Sequence, residues 1–342
     1  MVEKRVNDFA PHDNILRVRL VGHASAERCK SDAFIITYND RVWLVDGGMR
    51  GNLDSYERLL ELRQAWLGDR RHAAEDEKYK LHITWLVSHF HLDHVQTTVA
   101  HTLKSPYIAL DEAVIPPVTE LPPEYPMNDD AYFRPMTEEV IAKYQPGAGI
   151  TVVDAGRTGI DRRTYGELSL DILPPECDWG TPENIGFMAE LYSGGLRDDK
   201  RASITVINSN CIWFVFRFAG RSILLTGDTM KRYPDRADEP YDRMHQLYSD
   251  IIGSHVDIVK WVHHGIARDE AAACVHALSP EYIVITTAER ETASEKFAAD
   301  YPDNECTVVR VGAADELFRI MSDGSVTEDT GVDIFADIRG EG

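Results

Sequence analysis

The stretch "HITWLVSHFHLDH", residues 82–94, runs an apolar, β-branched and aromatic segment straight into three histidines and an aspartate. The chain holds 13 histidines in 342 residues, so three within positions 89–94 need a physical reason. Crowded imidazoles oppose one another's protonation unless a cation or hydrogen-bond partners organise them. The composition of 82–88 predicts a buried strand. Side chains of an extended segment alternate, so His89 and His91 share one side and can reach the same metal ion. Asp93 and His94 stand where the segment turns into a helix expected over 94–104, and can face a second ion.

Four further polar residues also end apolar strands. They are Asp46 in "VWLVDGG" (42–48), Asp228 in "SILLTGD" (222–228), and His263 and His264 in "VDIVKWVHHG" (256–265). Taken singly, each has an ordinary reading. Asp46 suits a turn before Gly-Gly, Asp228 suits a helix N-cap, and either histidine suits a polar turn. Taken together, they place ligands from distant parts of the chain at strand ends, where rigid elements can converge on one point. Asp228 can then bridge two ions, with a histidine of "HHG" closing the site. A mixed imidazole and carboxylate set suits zinc, manganese or iron better than calcium or magnesium.

The rest of the chain reads as one α/β unit made of two halves. Strands are expected at 15–22, 33–38, 42–46, 203–208, 211–218, 221–227, 256–262, 282–287 and 306–311, with a hairpin over 33–46. A helix is expected over 54–67, with Asp54 and Glu57 offering a capping box. Further helices are expected at 137–145, 241–252, 269–278 and near 292–299, and short strands at 150–154 and 168–173. The proline-rich "VIPPVTELPPEYP" opens a region, 111–200, read as an insertion over the scaffold that acts as a lid or a protein-partner surface.

Composition narrows the function. Hydrophobic residues make 43% and charged residues 27% of the chain, as in ordinary globular proteins. No apolar run reaches the ~20 residues of a membrane span. The opening "MVEKRVNDFAPHDN" lacks the apolar centre of a secretory signal. The five cysteines (Cys29, Cys177, Cys211, Cys274 and Cys306) show no paired spacing, so reduced thiols and a cytoplasmic location are expected. A formal net charge of −21 argues against a duplex-binding surface, although bound divalent ions would invert that potential locally.

The His-x-His-x-Asp-His signature, with the other strand-end residues, resembles the metallo-β-lactamase superfamily. The likeness is nearest to its ComEC-like branch, through "VGHASAERCKSDAFIITYNDRVWLVDGG" (21–48), "NSNCIWFVFRFAGRSILLTGD" (208–228) and "VDIVKWVHHG" (256–265). It covers roughly 15–110 and 203–311 and leaves 111–200 unexplained. The resemblance implies an αββα sandwich with a two-metal centre along one edge. It implies His89 and His91 as ligands of one ion, Asp93 and His94 of the other, and Asp228 as the bridge. It favours His264 as the closing ligand, leaves His263 to contact substrate, and gives Asp46 the task of orienting a ligand histidine. Three features depart from the pattern. No histidine occurs between His101 and His245, "VQTT" replaces a Gly-Gly, and "AERETASE" stands where a Gly-His-Pro is usual. Asn208 or Asn210 can hold a water or a substrate oxygen in place of the missing histidine.

The function so implied is a metal-dependent hydrolase with two divalent ions, zinc first. Asp93, Asp228 and His263 lie at the chemistry, and a phosphodiester of a nucleic acid or a nucleotide is the substrate. Two alternatives stand beside it. One is hydrolysis of a lactone, thioester or amide; the other is a non-catalytic scaffold subunit with a structural metal site.

Overall fold

The computed structural model describes residues 7–22, 32–49, 53–68, 77–117, 134–176, 207–208, 210–229, 240–265, 271–287, 297, 300–302, 305–312 and 314–330. Its strands form two mixed sheets. The first contains β1 (Leu16–Leu20), β2 (Ala33–Tyr38), β3 (Arg41–Asp46), β4 (Leu81–Leu86), β5 (Ile108–Ile115), β6 (Gly149–Val152), β14 (Glu316–Ile320) and β15 (Val326–Thr330), in the order β15-β14-β1-β2-β3-β4-β5-β6. The second contains β7 (Asp161–Tyr165), β8 (Leu168–Leu173), β9 (Trp213–Phe218), β10 (Arg221–Leu225), β11 (Ile258–Lys260), β12 (Tyr282–Ile285) and β13 (Thr307–Arg310), in the order β13-β12-β11-β10-β9-β8-β7.

The alternation of side chains along these strands builds the layers. Leu16, Val18 and Leu20 of β1 and Phe34 and Ile36 of β2 meet Leu168, Leu170, Ile172, Phe214, Phe216 and Phe218 of the second sheet in the central core. Each such fully buried side chain contributes about 1.5–3 kcal/mol relative to exposure. The opposite faces are apolar as well, which is why the strands read as continuous hydrophobic runs. Ile35, Leu44, Ile83 and Trp85 turn outward from the first sheet onto helices α1 (Asp54–Leu67), α2 (Leu92–Ala100) and α3 (Arg134–Tyr144). Trp213, Val215, Leu224, Val259 and Ile283 turn outward from the second, onto Met244 of α4 (Pro240–Leu247), Ile252 of α5 (Ser249–Ile252) and Val275 of α6 (Ala272–Ala277). The result is the expected αββα sandwich.

Three expectations read differently in the structure, and one hairpin was not foreseen. The described parts of 111–200 form no separate cover. β5 and β6 pair in parallel within the first sheet, and β7 and β8 pair antiparallel within the second and continue onto β9. Residues 118–133 and 177–200 lie outside the described residues. The capping box at α1 is absent: Leu53 is the N-cap and no side chain caps it, because Asp54 already lies inside the first turn. Asp54 and Glu57 still oppose the positive end of the helix dipole. Of the strand expected at 203–208, only 207–208 are described, and they are helical. Finally, 316–330 forms a hairpin that the sequence reading missed, with β14 paired to β1. Most of the helix expected near 292–299 lies outside the described residues.

Candidate metal centre

The ends of β3, β4, β10 and β11 converge. Asp46 closes β3 with φ +60°, a left-handed conformation that Asp tolerates better than most residues. That turn aims its carboxylate across the end of β4. Oδ1 accepts from the Ser88 backbone N–H at 2.7 Å, while Oδ2 accepts from Ser88 Oγ at 2.8 Å and from His94 Nδ1 at 2.8 Å. Trp85 Nε1 and Thr98 Oγ1 donate to the Asp46 carbonyl, which fixes the turn itself. With Nδ1 engaged, His94 presents Nε2 to the site.

After β4 the chain runs extended to His91, which is the N-cap of α2. The alternation that brings His89 and His91 to one side sets His89 Nε2 3.0 Å from His91 Nδ1. After β10, Gly227 (φ +57°) turns the chain to deliver Asp228. A Cβ at Gly227 would lie 2.9 Å from the Ser88 Cβ and 3.1 Å from Cys211 Sγ, so only glycine lets the two strand ends approach so closely. After β11, His263 and His264 both take positive φ, +47° and +60°. Two consecutive non-glycine residues in this region store backbone strain, a feature that concentrates at functional sites.

Asp228 is the hub. Its Oδ2 lies 3.2 Å from His94 Nε2, 3.3 Å from His264 Nε2, 3.8 Å from His263 Nε2 and 3.9 Å from His89 Nε2. Two groups of ligand atoms, each within 4.8 Å of one another, share it. One is His89, His91 and Asp228; the other is Asp32, His94, Asp228 and His264. Asp93 Oδ2 sits 3.1 Å from His264 Nε2. Thus His89, His91, Asp93, His94, Asp228 and His264 come together, with His263 at their edge and Asp46 behind His94. Asn208 and Asn210 are buried, and their segment touches the site's backbone: Cys211 N–H donates to the Asn208 carbonyl and Ile212 N–H to the Ser88 carbonyl.

The donor chemistry fits divalent cations of the zinc type. Asp228 Oδ1 is buried without a hydrogen-bond partner, and the buried His94 Nε2 faces the Asp228 carboxylate at 3.2 Å without a well-aligned hydrogen bond. Without a cation the charges are strained in opposite directions. Burial pushes the His94 and His264 imidazoles down, but the Asp228 carboxylate, with Asp46 or Asp32, outweighs it and holds both well above their ordinary value. His89 goes well below, through burial and the neighbouring His94 and His91. Burial pushes Asp93 up, yet the hydrogen bond from His264 and the nearby His94 bring it down to about 2.

Two residues at the site escaped the sequence reading. Asp32, just before β2, receives His264 Nδ1 at 2.9 Å and the Thr286 hydroxyl on one carboxylate oxygen. Its other oxygen meets Lys260 Nζ at 2.6 Å. Asp32 is close enough to count among the ligand atoms, but its contacts place it behind His264, as Asp46 lies behind His94. A lysine inside the apolar run "IVKWV" was a legible signal for Lys260; Asp32 carried none.

No protein-family model matches this sequence, and no curated protein does. Several solved structures align with it at low identity and with TM-scores below 0.5. One is the metallo-beta-lactamase fold protein YhfI from Bacillus subtilis, at 10% identity and TM-score 0.45, covering 92% of this chain and all of that one. Another is unliganded yeast PDE1, at 10% identity and TM-score 0.49, covering 86% of this chain and 97% of that one. Human tRNase Z, short form, aligns at 11% identity and TM-score 0.40 over 87% and 92% of the two chains. The two layered mixed sheets, the flanking helices and the His-x-His-x-Asp-His segment at the end of β4 are the αββα arrangement that the sequence resemblance to the metallo-β-lactamase superfamily implies.

Proposed function

We propose that this protein is a metal-dependent hydrolase of phosphodiesters that works with two divalent ions, zinc first and manganese or iron as alternatives. The observation that carries the reading is the sharing of Asp228 between two ligand groups that meet at one edge of the sandwich. His89, His91 and Asp228 would hold one ion, and Asp93, His94, Asp228 and His264 the other. Such ions supply Lewis acidity to a phosphoryl oxygen and a water that ionises near neutral pH.

The protein's own residues divide the remaining work. Asp46 holds the His94 ring so that Nε2 stays available to the site. Asp93 and His263, with side chains 24% and 22% exposed, are the members of the cluster that reach solvent, whereas His89, His94, Asp228 and His264 are fully buried. Asp93 is therefore placed to accept a proton from the attacking water, and His263 to contact a non-bridging phosphate oxygen. Asn208 lies on the segment tied to Ser88 and offers its amide to a water or a substrate oxygen.

The phosphodiester preference rests on the resemblance to the ComEC-like branch in the strands around Asp46, Asp228 and His264. The acidic chain favours a small nucleotide phosphodiester over a long nucleic acid, because a net charge of −21 repels an extended phosphate backbone. No helix among the described residues is long and apolar enough to cross a membrane.

Metal analysis of the purified protein beside turnover of bis(p-nitrophenyl) phosphate, a cyclic nucleotide, a lactone and a thioester tests the reading. Two equivalents of metal with phosphodiester turnover are expected. Metal with turnover only on the carbonyl substrates moves the function to acyl hydrolysis. Metal without turnover on any of them makes the centre structural.

A further inference from the structure

The centre draws its ligands from both sheets: His89, His91, Asp93 and His94 follow β4 of the first, while Asp228 and His264 follow β10 and β11 of the second. Something must hold the two sheet edges in a fixed relation, and the buried pair Asp32–Lys260 spans them. Asp32 precedes β2 in the first sheet. Its N–H donates to the Asp93 carbonyl at 3.3 Å, and its carbonyl accepts from Gly47 N–H at 3.1 Å, beside Asp46. Its carboxylate crosses to His264, Thr286 and Lys260 of the second sheet. Lys260 completes the tie. Besides Asp32, its ammonium donates to the Gly227 carbonyl at 2.8 Å and the Trp261 carbonyl at 3.2 Å, and it lies 3.7 Å from Asp228 Oδ1. Lys260 thereby joins the Asp32 carboxylate, as an ion pair, to the two turns that carry Asp228 and His263–His264.

We propose that Asp32 and Lys260 are positioning residues for the metal centre. Asp32 fixes the His264 ring with Nδ1–H inward and Nε2 toward Asp93 and Asp228. Lys260 balances the Asp32 charge and pins the Gly227–Asp228 turn at the same distance. Both side chains are fully buried, and a buried ion pair contributes little to stability compared with apolar residues of similar volume, because desolvation offsets the attraction. A pair kept only to hold the fold together would be poorly chosen. A pair that sets the geometry of a ligand histidine has a reason to be ionic, since a carboxylate behind a ligand imidazole both orients it and raises its basicity.

The inference rests on His264 as a metal ligand, and the experiment separates the two. The double variant Asp32→Asn/Lys260→Met keeps volume and removes both charges, leaving no unpaired one. Its thermal midpoint should stay near that of the natural chain, while its zinc affinity, measured by chelator competition, should fall about 10–100-fold. Wild-type zinc affinity in the double variant would overturn the proposal, as would a large loss of thermal stability with affinity intact. Asp32→Asn alone, which leaves the Lys260 charge unpaired but keeps its bonds to the Gly227 and Trp261 carbonyls, should lower affinity in the same direction if the double variant does not fold. If the natural chain binds no zinc, the proposed function fails, and nuclear magnetic resonance of the metal-free protein still decides this point. The Nδ1 proton of His264, which faces the Asp32 carboxylate and the Thr286 hydroxyl, should resonate far downfield in the natural chain and move upfield in Asp32→Asn, where a neutral amide replaces the carboxylate; an unmoved signal would overturn the positioning role.

Discussion

Asp46 Oδ2 lies 2.8 Å from His94 Nδ1, with Ser88 donating twice to the same carboxylate. The carboxylate thereby sets which nitrogen of a fully buried histidine faces the site. Asp46→Asn separates orientation from backbone conformation, because asparagine also tolerates the positive φ at this position. The variant should fold and lose about 10–100-fold in metal affinity, as for other partners behind ligand histidines. Chelator competition measures this, and an unchanged affinity would reduce Asp46 to a turn residue.

Asp228 faces both ligand groups, whereas Asp93 touches one. Asp228→Asn should therefore lose both ions, and Asp93→Ala about one equivalent, each with turnover near background because a two-metal clamp needs both charges. Metal analysis on the same preparations used for kinetics checks this. Full occupancy in Asp228→Asn, with only stability lost, would return Asp228 to the role of a turn or helix cap.

His264 is buried against Asp32 and Asp93, while His263 reaches solvent. His264→Ala should lower metal content and activity together. His263→Asn, chosen because asparagine accepts the positive φ, should keep the metal and raise KM or lower kcat, the sign of a substrate contact. The reverse pattern exchanges the two roles. No effect from either would move the closing ligand elsewhere.

Away from the centre, Asp257 gives a pH test of the fold. Its carboxylate accepts from Arg221 Nη1 at 2.6 Å and from Ser222 N–H at 2.7 Å; although burial pushes it up, these contacts hold it below the ordinary carboxylate range. A carboxyl depressed on folding stabilises above its unfolded value of about 3.9, and that contribution disappears as pH falls through the lower folded value. Asp257→Asn should cost about 1–3 kcal/mol near neutral pH, the penalty for weakened buried hydrogen bonds. The gap between natural and variant chains in urea titrations should narrow below about pH 4. A gap independent of pH would show that shape, not charge, matters at this position.

How much could be read from the chain follows from what each signal depends on. Strand periodicity and the abrupt change from apolar to polar at residues 46, 88, 228 and 263 are local, so they marked the strand ends and most of the candidate ligand residues. Strands interleaved with helices pointed to one α/β unit in two halves, while the sandwich with helices outside came from the resemblance carried by the strand-end residues. The sequence could not place β7, whose "DRRTY" is half-exposed at a sheet edge, nor the β14–β15 hairpin, whose β14 pairs with the distant β1. Nor could it find Asp32. A carboxylate before an apolar strand has no local pattern. It gains meaning only when the packing of two separate sheets brings the start of β2 against His264, a residue 232 positions further along the chain.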